Sequence, residues 1–256
     1  LPGNPIPATL QKRMDNAPDT WFQELSIEFS DGTVEFLYIE RRETGTHTPT
    51  TREKPKPWTM LSFHKCPSCT LPTGIYCCPA ALSLQATMGK LRSRSSTERV
   101  RATAVDGEGR SQTVEWDLQS VGSSLVQLAV FETACPVGYR LKPYLAGLPP
   151  FSDSLELMRH VTRKILEKHG GSVEASRQEL SETLGPLAEV FVHLIRRIRS
   201  EDGDAGVPAS ADGSAPIADA VPNSIVQVDA IAQRFSMKAD KLCAEISAEL
   251  GWSKPE

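Results

Sequence analysis

Residues 58–91 read WTMLSFHKCPSCTLPTGIYCCPAALSLQATMGKL, and four of the six cysteines fall inside this stretch. Cys66 and Cys69 form a C-x2-C knuckle, and Cys77-Cys78-Pro79 follows after a Pro- and Gly-containing loop. A knuckle aims two thiolates at one point, and a soft metal ion there takes four ligands in a closed tetrahedral site. Cys78 and the distant Cys135, which stands before Pro136, would complete the set; His64 or Cys77 could replace one member. The same four thiolates suit an iron–sulfur cluster. Trp58–Phe63 reads as a short strand entering the loop. Ala81, Leu84, Met88 and Leu91 at 3–4 spacing predict a helix behind Pro79.

Upstream, Leu25–Phe29 and Val34–Tyr38 alternate apolar and polar residues around Ser30-Asp31-Gly32, the pattern of a β-hairpin. Residues 41–57 carry Thr, Pro and charge with no apolar period, a loop. Downstream, Val100–Ala104 and Thr113–Trp116 flank Gly107-Glu108-Gly109 as a second hairpin. Residues 120–132 are apolar enough for a buried helix that stops at Cys135-Pro136. Asp153–Glu156 has capping-box spacing before a helix ended by Gly170-Gly171. Ser176–Glu179 repeats that spacing before Leu184, Leu187, Phe191, Leu194 and Ile198, with Arg196, Arg197 and Arg199 where a helix C-terminus favours cations. Ser224 opens a last helix carrying Ile225, Val228, Phe235, Leu242 and Ile246 in phase. Residues 1–20 are Pro-rich and polar, a loose tail, and 201–220 form a flexible acidic linker. The expected architecture is α+β: a small antiparallel sheet from two hairpins with a Cys-rich loop, over residues 21–150, then a helical part over 151–250.

Composition narrows the function classes. Hydrophobic residues are 39 % of 256, enough for a sizeable core. The net charge of −4 argues against a nucleic-acid coat. No apolar run approaches the ~18–20 residues of a membrane span, and the first ten residues lack the layout of a signal peptide. The expected location is the reducing cytoplasm, where clustered cysteines hold metals or do redox chemistry more often than they form structural disulfides.

Thioredoxin-like use of Cys66-Pro67-Ser68-Cys69 would need a helix directly behind the knuckle, which Pro72 and Gly74 break. A vicinal Cys77–Cys78 disulfide, or plain burial of the thiols as small hydrophobes, competes with metal binding. Cys243 reads as a core packer in the last helix. Lys90, Arg92, Arg94, Arg99 and Arg101 could meet phosphates, but without aromatic stacking partners a solvated face is the simpler reading. Arg140 and Lys142 could face the charge of a four-thiolate site or form ordinary ion pairs. His47, His160, His169 and His193 have no ligand-like spacing, and no nucleophile elbow, P-loop or H-E-x-x-H is present. The apolar stripes of the last two helices either pack on the body or meet a second copy.

The strings Phe63-His64-x-Cys66-x-x-Cys69, Cys78-Pro79-x-Ala81 and Cys135-Pro136, with Leu141-Lys142-Pro143 and Pro150-Phe151 behind them, resemble an uncharacterised bacterial domain family of unknown function. Asn223 and Asp229 match its C-terminal helix, whereas His160 stands where that family tends to carry Arg. The resemblance implies that Cys66, Cys69, Cys78 and Cys135 act as one group, with Cys77 as an extra, and implies no activity. The expectation is a cytoplasmic metal-binding protein with a structural, regulatory or interaction role. Zinc is the default metal and a [4Fe–4S] cluster the rival; a protein partner or homodimer through the C-terminal helices is compatible, and a membrane or nucleic acid is not expected. A thiol or iron–sulfur redox sensor, or a metalloenzyme with His64, Arg140 or Lys142 nearby, is the alternative.

Overall fold

A computed structural model of the chain describes residues 20–42, 54–105, 111–201 and 219–252. The expected tail, the Gly107–Gly109 turn, His47, and nearly all of the acidic linker fall outside these residues. Strands β1 (Thr20–Glu28) and β2 (Val34–Arg42) form the first hairpin; β3 (Arg99–Val105) and β4 (Ser111–Asp117) form the second pair. They join into one antiparallel sheet of order β2-β1-β3-β4, because β1 also pairs with β3. Leu25 lies opposite both Leu37 and Ala104, and Ile27 opposite Ala102. The period-2 pattern therefore puts Leu25, Ile27, Leu37, Val100, Ala102 and Ala104 on one buried face.

The described residues hold five α-helices: α1 (Pro79–Met88), which lies between the two hairpins, and α2 (Leu118–Phe131), α3 (Ser154–Lys168), α4 (Val173–Glu201) and α5 (Ala220–Glu249) behind them. The architecture is thus α+β, a small sheet in the N-terminal half followed by helices. Helix α2 is buried nearly all round, from Leu118 to Phe131, and packs against both α1 and α5. The stripes of α4 and α5 (Leu187, Phe191, Leu194 and Ile198; Ile225, Val228, Phe235 and Leu242) lie inside the chain's own core, continuous with the sheet face. No described helix is long and apolar enough to cross a membrane.

Three local expectations are corrected. Trp58–Phe63 is no strand: Pro57–Thr59 is a 3₁₀ turn, and only Met60 makes a β-bridge, to Cys77. Pro55 and Pro57 remove the backbone donors a ladder needs. Helix α4 starts at Val173, so Ser176 lies inside it, with its hydroxyl donating to the Ser172 carbonyl at 2.7 Å. Glu179 faces α3 instead of capping, accepting from Lys168 (2.7 Å), His169 (2.5 Å) and Tyr144. Helix α5 begins at Ala220, four residues before Ser224, with Pro222 tolerated in its first turn. By contrast the Asp153–Glu156 capping box forms as its spacing requires.

Helices α2 and α5 approach closely at Gly122. A Cβ there would stand 2.0 Å from Ser224 Oγ and 2.9 Å from Ser224 Cβ. Gly122→Ala is therefore expected to push the helices apart at a cost of about 1–3 kcal/mol, seen as a Tm lowered by several degrees. Adding Ser224→Gly should restore most of the loss; a neutral Gly122→Ala single variant would show that the contact is loose.

Candidate metal centre

The four predicted cysteines come from three places in the fold. Cys66 and Cys69 lie in the loop after the Pro57–Thr59 turn, where the Cys69 N–H donates to the Cys66 carbonyl at 3.0 Å and closes the knuckle. Cys78 is the N-cap residue of α1, and its side chain makes no cap hydrogen bond there. A helix N-terminus favours negative charge, and so favours a thiolate there. Cys135 lies between α2 and the 3₁₀ segment Gly138–Tyr144, and its Sγ accepts from the Gly138 N–H at 3.5 Å. Gly138 is required at this turn, since a Cβ would come within 2.5 Å of the Val130 carbonyl oxygen.

Burial first, and then negative charge on Cys78, Cys135 and Cys69, pushes the Cys66 thiol up to about 12. Burial likewise raises Cys78 and Cys135, each of which also feels charge on Cys69, and Cys135 that on Cys78. Every pair among the four is thus within electrostatic reach. Among the described residues, however, no three or more His, Cys, Asp or Glu side chains stand at metal-holding spacing. All six cysteines are free.

The residues named as substitutes stand apart. The His64 side chain is exposed and lies edge-on against Phe63, ring centres 4.7 Å apart. Cys77 faces Thr59, whose hydroxyl is 3.9 Å from its sulfur. Cys243 is fully buried in α5 beside Asp240 and Arg177, as a core packer. Arg140 is exposed, whereas Lys142 makes a buried ion pair with Glu132 at 2.8 Å. That pair brackets Cys135, tying the end of α2 to the following 3₁₀ segment. Glu132→Gln is expected to cost about 3–5 kcal/mol in urea unfolding, because it removes one charge from a buried ion pair. The double variant Glu132→Leu/Lys142→Met should recover most of that; a double variant as unstable as the single one would deny the pair its role.

The basic run upstream is engaged with acids and carbonyls. Lys90 pairs with Glu35 at 2.7 Å, Arg94 with Asp31 at 2.7 Å while covering the Phe29 ring, and Arg101 with Glu115 at 2.8 Å. Arg99 donates to the Glu115 carbonyl.

What the sequence reading missed is one face of α4. Glu189, His193 and Arg197 recur every four residues and all reach the cysteine loop. Glu189 accepts from the Ser68 hydroxyl at 2.5 Å, and His193 Nδ1 lies 3.0 Å from the His64 carbonyl oxygen. Arg197 is 1 % exposed and donates to the carbonyls of Trp58, Met60, Leu61 and His64 at 2.7–3.4 Å. Among the described non-glycine residues His64 alone has a positive φ, +47°, in the segment that offers its carbonyls to α4. A signal was available: Arg197 follows Val190 by seven residues and Leu194 by three, a lone cation on the apolar stripe.

The described elements define an α+β fold, a small four-stranded antiparallel sheet followed by helices. The chain belongs to the family described as domain of unknown function DUF6901, whose model matches residues 24–246, a span containing all four cysteines and Arg197. No curated protein and no solved structure matches the chain.

Proposed function

We propose that Cys66, Cys69, Cys78 and Cys135 hold one metal ion, zinc, in a closed structural site of a cytoplasmic protein. The observation that carries this is convergence: three separate segments bring four thiols within reach of one another's charge. The donor set suits a closed zinc site, and the Gly138 N–H directed at Cys135 is the kind of outer-shell partner that thiolate ligands use. The loose spacing of the thiols has a physical reason. Four thiolates repel one another, and neutral thiols gain little by meeting, so a cation itself supplies the force that gathers them.

The role follows from where the segments lie. An ion at this point ties the cysteine loop to the start of α1 and to the turn after α2, so it fixes elements far apart in sequence. Raised thiol pKa values disfavour a nucleophilic redox function, which needs a stabilised thiolate. The site thus serves structure, regulation or interaction before catalysis. Metal analysis and an absorption spectrum on anaerobically purified protein test the proposal. One zinc per chain and no visible colour is the expected result. A brown preparation that bleaches in air would mean an iron–sulfur cluster on the same thiols, and four free thiols without metal would end the metal reading.

A further inference from the structure

We propose that Arg197 is the built-in counter-charge of the four-thiol site, and the latch through which an occupied site holds the end of helix α4 on the cysteine loop. This rests on the metal reading above and adds to it a named partner and a consequence of occupancy.

The guanidinium is almost fully buried, and among the described residues no carboxylate pairs with it. Its four carbonyl partners satisfy N–H groups but carry no net charge, while Nε has no acceptor at all. A buried cation in that state is costly unless an anion lies nearby. The proposed ligands flank the guanidinium's own partners: Cys66 lies two residues beyond His64, and the Cys78 N–H donates at 2.8 Å to the carbonyl of Thr59, the residue after Trp58. Four thiolates around a divalent ion carry a formal charge of about −2. Loading the site therefore places an anionic group beside a cation that is otherwise uncompensated.

The coupling must then be reciprocal. Whatever the docked guanidinium contributes to metal affinity, the metal contributes equally to keeping Arg197 docked. Arg197 lies one turn from the end of α4, on the ridge where Glu189 and His193 also grip the loop. Occupancy accordingly sets how firmly residues 189–201 hold the loop segment 58–68.

Two variants separate charge from hydrogen bonding. Arg197→Gln keeps an amide donor without charge, and Arg197→Lys keeps the charge without the fork. Zinc affinity is measured by competition with a chromophoric chelator. Amide hydrogen exchange over 190–201 and 57–66 is followed with zinc bound and after chelation. Arg197→Gln should weaken zinc binding about 10–100-fold, the usual consequence of losing an outer-shell partner, with Arg197→Lys falling clearly less. Wild-type protection in both segments should drop on chelation, a comparison that needs no variant to fold. Wild-type protein that carries one zinc while its exchange is unchanged by chelation would overturn the latch. Equal affinity loss in both variants, or none in Arg197→Gln, would overturn the counter-charge, and in each of these cases the metal site survives. Failure of reduced wild-type protein to bind zinc would remove the metal reading and this inference with it.

Discussion

Cys135→Ser protein is expected to purify with less than about a tenth of the wild-type zinc and to melt about 10 °C lower, on the scale of 2–4 °C per kcal/mol for a chain of this size. The argument is geometric. Cys135 is the one proposed ligand outside residues 66–78, so it alone connects the loop and the start of α1 to the turn behind α2. A hydroxyl of nearly the same volume fills the same space, and its Gly138 N–H partner is kept. What is lost is a soft anionic ligand, and with it the closed four-coordinate shell. The large core spanning the sheet and all five helices should keep the variant folded, so the loss should concentrate near the cysteine loop. Cys77→Ser is the control. Its sulfur faces Thr59, and it should retain full metal content. Metal retained in Cys135→Ser and lost in Cys77→Ser would exchange the two residues in the ligand set.

Zinc binding by the wild-type chain is expected to strengthen by about three log units per pH unit between roughly pH 6 and 8. Burial, followed by the charge of neighbouring sulfurs, holds Cys66 near 12 and sets Cys135 above the ordinary thiol value; burial foremost does the same for Cys78. All three are therefore protonated across this range. Each must give up its proton to become a ligand, and lowering the pH supplies more of the competitor. The sign is fixed by that competition: affinity rises with pH. A zinc titration in weak buffer with an indicator dye should release at least about three protons per ion. A pH-independent affinity would mean that the metal is held by groups already ionised at neutral pH, and the thiols would not be its ligands.

The chain's local patterns were sufficient for much of the fold. Period-2 alternation in Leu25–Phe29 and Val100–Ala104 gives the buried face of the sheet, because successive residues of a strand must point to opposite sides. The Asp153–Glu156 box and the Leu184–Ile198 stripe mark helices for equally local reasons. Where two local signals competed, reading along the chain failed. Trp58–Phe63 has strand composition, but its preceding prolines leave it a turn, and the Ser176 box is overridden by a helix that had already begun.

The grouping of Cys66, Cys69 and Cys78 with Cys135 is a proposal that residue type and the resemblance to a family suggest, since soft ligands are few and conspicuous. The surroundings of those thiols were not legible in the sequence. Arg197 read as one of three cations at a helix end, and His193 as a boundary residue. Only tertiary packing shows that Arg197 turns inward while Arg196 and Arg199 face solvent, because the outcome depends on which carbonyls the loop presents to α4. The sequence by itself proposed which sulfurs act together. The tertiary structure decided what charge stands beside them, since the field at a buried site comes from groups adjacent in space, and neither periodicity nor spacing encodes that adjacency.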